Sequence, residues 1–320
     1  MDSELMKAAG IAAGDCLKLQ EDESFLVVTD PELREIGEAL AEAGREIGAP
    51  TVLMEIDPLS RNGEEPPEMV SEAMKKSDVV IIPMSKSLTH TTARREACDA
   101  GARVATMPGI TRDTMIRCLN ADYYAIAERT EKLTEMLTNA DSAHVTSPGG
   151  TDITIPIAGI KAIASTGLIH QSGSFGNLPS GEAYLMPEEN KSNGVFVVDG
   201  SMAGIGDLAG KTPITIKVKD GFATEITGGE EADMLREKLS AVGPRAFHTA
   251  ELGIGTNDAA KIIGTILEDE KVMGTIHIAL GNNMSMGGTV NVPIHLDGIV
   301  KDPDVELDGR KIMENGKLLI

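Results

Sequence analysis

His295, Leu296 and Asp297 set a nitrogen donor, an apolar side chain and an oxygen donor in succession. Residues two apart on a strand share a face, so this triplet turns an imidazole and a carboxylate one way and a leucine the other. Upstream, Glu182, Glu251 and His277 each lie in glycine-rich, strand-like surroundings. Two imidazoles and three carboxylates are the ligand types that hold a pair of divalent metals or a single iron. No one of these residues carries the argument alone. The five together, in one half of the chain, make a metalloenzyme the leading reading.

Each member also has a plainer reading. Glu182 follows Pro179 and Gly181, where the chain is pinned and then freed; it is either a ligand or an exposed turn carboxylate. Glu251 precedes Gly253 and Gly255 and is either a ligand or an acid at a strand end. His277 sits in the apolar run 274–281, where it shares a face with Thr275 and Ala279 and opposes Ile276 and Ile278. A lone histidine there is commonly a satisfied core residue. The following glycine- and asparagine-rich loop, 281–288, either lines a substrate pocket or turns the chain. His295 with Asp297, coming 18 residues after His277, is the more specific signal. His90, His144 and His248 read as surface or structural residues; so, in its plainer reading, does His170, whose place just upstream of Glu182 makes contact with the pocket the lesser alternative.

The elements that must position these residues fall into two halves. Residues 1–142 alternate apolar runs with amphipathic segments. Strands are expected at Phe25–Thr29, 52–56, 78–83 and 103–106, and helices from Asp30-Pro31 to about Gly48 and over 66–76, 91–100 and 112–138. Strand and helix in alternation predict a doubly wound (Rossmann- or flavodoxin-like) parallel sheet serving structure and oligomerisation. No glycine-rich phosphate motif follows a strand, which argues against a nucleotide. Residues 143–320 change character: of 34 glycines only eight precede residue 143. Asp199-Gly200, Asp220-Gly221, Asp308-Gly309 and Asn315-Gly316 mark turns, the last two strong hairpin signals. Helices are expected from Glu230 to about Val242 and from Asp258 to about Glu268. This half reads as a β-rich α+β metal-binding catalytic domain, so the fold class is α/β with two domains.

Composition bounds the function. The 320 residues carry a net charge of −21, which argues against nucleic acid and anionic membrane surfaces as partners. Aromatic residues make up 2% and tryptophan is absent, so aliphatic side chains, Met and Ala must fill the cores. Cys16, Cys98 and Cys118 are odd in number and lack paired spacing, and read as reduced thiols. No apolar stretch approaches the ~20 residues of a membrane span. With no secretory signal, the expected location is cytoplasmic.

With these residues in view, the chain resembles the thermophilic metallo-aminopeptidases of the aminopeptidase T type over most of residues 20–320. The resemblance is strongest at 177–187, 251–257, 277–281 and 295–300. It implies a homodimer that removes N-terminal residues from small peptides or related amides. It also implies divalent metal (zinc, cobalt or manganese, one or two per chain) held by Glu182, Glu251, His277, His295 and Asp297. One position departs: the family's tyrosine ligand falls on Met284, which offers no anionic oxygen. The chain also resembles the 2,5-dihydroxypyridine ring-opening dioxygenases. That resemblance implies one ferrous iron on His277, His295 and Asp297, with Glu182 behind the iron or facing substrate.

Three readings therefore stand. The first, favoured by the retention of both glutamates, is an aminopeptidase-like hydrolase in which a metal-activated water attacks the amide and Glu182 or Glu251 moves the proton. The second is a mononuclear iron ring-opening dioxygenase, favoured by Met284. The third is a diverged metal-binding protein without turnover.

Overall fold

The computed structural model describes residues 2–320, which form two compact units: residues 2–127 with 166–180, and residues 128–165 with 181–320. The first contains a five-stranded, wholly parallel sheet. Its strands Phe25–Thr29 and Val79–Met84 are buried along their whole lengths, as their continuous apolar runs require. Thr51–Glu55, Arg103–Pro108 and a short strand at Phe175–Asn177 complete the sheet. Helices Arg34–Ile47, Glu68–Lys75, Thr92–Asp99 and Arg112–Leu119 connect or flank the strands.

The first connecting helix begins later than Asp30-Pro31 predicts. Asp30 does accept the amides of Glu32 and Leu33, but its second oxygen takes the amide of Ser85 at 2.7 Å. The buried carboxylate thus ties two loops together, and residues 31–33 form a turn ahead of the helix. The sequence reading also lacked the N-terminal helix Ser3–Ile11, capped by the Asp2 carboxylate.

The second unit is built on two antiparallel sheets of eight and seven strands. One continuous apolar core joins their inward faces, with Ile153, Ile155, Phe196 and Ile216 from the larger sheet and Leu252, Ile254, Ile276, Ile278 and Val300 from the smaller. Asp220-Gly221, Asp308-Gly309 and Asn315-Gly316 each hold two successive positive φ angles at the tips of hairpins, the geometry that matches strand twist. The helix Glu230–Val242 forms as expected.

The helix expected over 258–268 does not form; only Ile266–Asp269 is helical. Amides that a helix would bind to its own carbonyls go elsewhere: Lys261 N–H donates to Glu268 Oε1 and Ile263 N–H to Asp269 Oδ1. Side-chain acceptors from downstream thus outcompete the local ladder. Among the described residues no helix is long and apolar enough to cross a membrane.

Candidate metal centre

Four adjacent strands of the seven-stranded sheet carry the candidate residues: Glu182–Leu185, Thr249–Gly255, Thr275–Gly281 and His295–Lys301. Register places them on one face. Glu251, Ala279 and Asp297 lie in one row across three strands, and Tyr184, Gly253, His277 and Ile299 in the next. The alternate residues, Leu252, Ile254, Ile276, Ile278 and Leu296, turn into the core. The period-two alternation seen in the triplet at 295–297 therefore extends across the whole patch. A bulge between Thr249 and Glu251 adds Ala250 to its strand just before the site.

The five side chains meet. Glu251 lies between the imidazoles, with Oε1 3.2 Å from His277 Nε2 and Oε2 3.3 Å from His295 Nε2. His295 Nε2 is 3.2 Å from Asp297 Oδ1, and His277 Nε2 is 3.5 Å from Glu182 Oε2. Two overlapping donor triads result: Glu182, Glu251 and His277, and Glu251, His295 and Asp297, each with ligand atoms within 4.8 Å of one another. His277 is fully buried, the three carboxylates nearly so, and His295 is part-exposed at the rim.

Local structure aims each group. The Asn282 carbonyl lies 2.7 Å from His295 Nδ1. A carbonyl only accepts, so Nδ1 carries a proton, and Nε2 is the nitrogen turned toward the carboxylates and available to a metal. Asn282 itself is held by its side chain, which donates to the Val292 carbonyl and accepts the Met284 amide. His277 lies across Gly253, where a Cβ would fall 2.0 Å from Nε2. Only glycine leaves the ring room at that position.

Electrostatics follows from the crowding. Burial pulls the His277 imidazole down, but Glu251, Glu182 and Asp297 outweigh it and raise it to about 9. His295 is likewise raised, against burial, by Asp297 and Glu251. Burial pushes the Asp297 carboxyl up, yet His295, His277 and Lys271 bring it down to about 2. Glu251 is lowered against burial by its two imidazole partners. The site thus stabilises positive charge strongly. Buried carboxylates that only accept, arranged about two imidazole nitrogens, suit a divalent cation of the N/O-binding kind.

Three neighbours escaped the sequence reading. Lys271, 1% exposed, donates to Glu182 Oε1 at 2.5 Å and also to Glu270. Burial, aided by the negative charges of Glu182 and Asp297, raises the Glu270 carboxyl to about 7 against the opposing pull of Lys271. Tyr184 shares the face of Glu182; burial, then the charges of Glu182 and Glu251, push its phenol up. Tyr184 could have been found from its spacing of two from Glu182. Lys271 could not, because the run Glu268-Asp269-Glu270-Lys271 reads as solvated charge.

The remaining candidates belong to neither triad. Met284 sits on a one-turn 3-10 helix and is 48% exposed. His170, for which contact with the pocket was the lesser alternative, belongs to the first unit and donates to the Asp15 carbonyl. His144 pairs with Asp152, and His248 is buried edge-on against Phe222.

Residues 14–320 match the family described as 2,5-dihydroxypyridine 5,6-dioxygenase (NicX). A curated 2,5-dihydroxypyridine 5,6-dioxygenase of Pseudomonas putida is 25% identical over 265 residues, covering 77% of this chain and 72% of its own. Among solved structures, a 2,5-dihydroxypyridine dioxygenase from Pseudomonas putida matches with a TM-score of 0.84 at 20% identity, covering 100% of this chain and 98% of its own. AmpT from Thermus thermophilus matches with a TM-score of 0.72 at 18% identity, covering 99% of each chain. The two structural likenesses establish the shared fold. The family match and the curated relative favour the dioxygenase resemblance over the aminopeptidase one.

Proposed function

Because the chain belongs to the 2,5-dihydroxypyridine 5,6-dioxygenase family, we propose that it is an iron-dependent dioxygenase acting on a hydroxylated, pyridine-type ring. The observation that supports this reading is that His277 and His295 flank Glu251 on one sheet face, 3.2 and 3.3 Å from its two oxygens, with Asp297 3.2 Å from His295. Two imidazoles and one carboxylate are the set suited to ferrous iron with open positions for other ligands. When bound, that metal supplies the redox chemistry that lets dioxygen react with an electron-rich ring.

The chain's own residues supply placement and charge. His277, His295 and Asp297 would hold the metal. Asn282 fixes the His295 tautomer, and Gly253 admits the His277 ring. Glu251, between the imidazoles, stands where it can accept a proton from a ring hydroxyl.

A metal-dependent hydrolase is the second reading. The sharing of Glu251 between two triads favours it, because a carboxylate with one oxygen toward each imidazole can bridge two metals. One experiment separates the readings. Protein loaded anaerobically with Fe(II) is given 2,5-dihydroxypyridine and air-saturated buffer, and oxygen uptake is followed beside loss of the ring's absorbance. The dioxygenase reading requires one O2 consumed per ring lost. Absence of uptake, together with cleavage of an aminoacyl anilide by the Co(II) or Zn(II) form, would transfer the assignment to the hydrolase.

A further inference from the structure

Among the described residues, Lys271 is the one lysine or arginine hydrogen-bonded to the five-residue cluster, and it is buried. We propose that its ammonium stands in for a second metal ion and restricts the centre to one divalent metal. This rests on the metal centre proposed above and concerns how many ions that centre accepts.

The position of Lys271 is built. Gly255, on the face of the site and in register with Glu182, lies under the 271–272 backbone so closely that a Cβ would fall 2.2 Å from the Val272 carbonyl oxygen. Asn257 binds the same segment on both sides: its amide donates to the Lys271 carbonyl at 2.8 Å, and its carbonyl accepts the Met273 amide. The side chain is thereby delivered to Glu182 and Glu270. A lysine is buried in this way only when paired.

The two triads differ in what they have left to offer. In the triad of Glu251, His295 and Asp297, both carboxylates face imidazole nitrogens, and among the described residues no ammonium is hydrogen-bonded to them, Lys271 acting on Asp297 only through its charge. In the triad of Glu182, Glu251 and His277, Glu251 is shared and Glu182 already holds the Lys271 ammonium on Oε1. Glu182 Oε2, though buried, has no hydrogen-bond partner and only the His277 ring 3.5 Å away, so the carboxylate's short hydrogen bond is the one to the ammonium. A second divalent ion on the Glu182 side would meet a neutralised carboxylate and a fixed positive charge, with little water to screen the repulsion. Without the ammonium, the same donors form two triads joined by a bridging glutamate.

The test is metal stoichiometry, read by equilibrium dialysis against Co(II) followed by elemental analysis. The wild-type protein is compared with Lys271→Met, Lys271→Arg and a double variant, Lys271→Met with Glu270→Gln. The double variant removes one charge of each sign and keeps the comparison available if the single change disrupts folding. One equivalent is expected in wild type and Lys271→Arg, and two in the variants without the cation. Two equivalents in wild type would overturn the inference while leaving the metal centre standing. So would one equivalent, at wild-type affinity, in folded Lys271→Met or the double variant. No binding of Co(II), Mn(II) or Fe(II) by wild type would remove the metal centre and the inference together.

Discussion

Gly253→Ala adds one methyl group and should disable the site while sparing the fold. The new Cβ would lie 2.0, 2.2 and 2.9 Å from Nε2, Cε1 and Cδ2 of His277, where ordinary contact begins near 3.4 Å. The imidazole must therefore move by about 1.4 Å, and overpacking of this kind costs about 1–3 kcal/mol. Gly253 has no positive φ, so alanine suits its backbone and the whole effect falls on the ring. A displaced donor should weaken metal binding by about 100-fold, or about 2.8 kcal/mol, and slow turnover by a similar factor. Gly298→Ala is the matched control. Its Cβ would meet Val198 Cγ2 at 2.5 Å on the core face of the same sheet, away from the imidazoles. Both variants should lose thermal stability to a similar extent, by about 2–4 °C per kcal/mol for a unit of this size. Only Gly253→Ala should lose metal, as measured by dialysis with Mn(II). If Gly253→Ala binds metal and turns over like wild type, the claim that His277 must lie across position 253 is wrong.

Other expectations can be checked with the same tools. Asn282→Ala removes the side chain that ties its loop to Val292 and Met284, and so loosens the carbonyl that fixes His295. Metal affinity should fall by about 10-fold with little change in melting temperature, since outer partners of metal-bound histidines contribute on this scale. His248 is buried with neither ring nitrogen hydrogen-bonded, and burial lowers its proton affinity below the ordinary histidine value. The unfolded chain therefore binds more protons at this position, and stability should be full above pH of about 6.5 and fall as the pH drops further. In His248→Leu that slope should flatten between pH 7 and 5, and an unchanged slope would assign it to other groups. Arg103→Lys should destabilise the first unit by about 1–2 kcal/mol in a urea titration. Arg103 binds both oxygens of Glu23 and the Leu17 carbonyl, which one ammonium cannot reproduce.

The legible parts of the chain were those governed by local rules. Val79–Met84 is apolar on both faces and could only be an interior parallel strand, and Asp308-Gly309 and Asn315-Gly316 state their turns outright. The five candidate residues were visible because strand alternation projects each of them away from leucine and isoleucine neighbours. What escaped depends on partners distant in sequence. Residues 258–265 carry helix-compatible side chains, but Glu268 and Asp269 claim their amides. Lys271 looks solvent-exposed until Gly255 and Asn257 are seen to bring it beside Glu182. The preference for a hydrolase rested on the retention of Glu182 and Glu251 as evidence for two metals. Nothing local in the sequence shows that Glu182 has an ammonium as its partner. Met284, a departure from the peptidase pattern, points the other way, as does the family match.

The strict alternation of the site strands also bears on how the chain avoids misfolding. If His295–Lys301 slipped by one residue against Thr275–Gly281, His295 and Asp297 would enter the aliphatic core, and Leu296 and Val300 would take their places among the carboxylates. Each ionisable group stranded in that core would cost several kcal/mol. A purely aliphatic strand could accept the shifted pairing almost as readily as the native one. The groups that assemble the metal centre therefore also reject the wrong register, so replacing them with hydrophobic residues would leave a sheet with less reason to choose its own alignment.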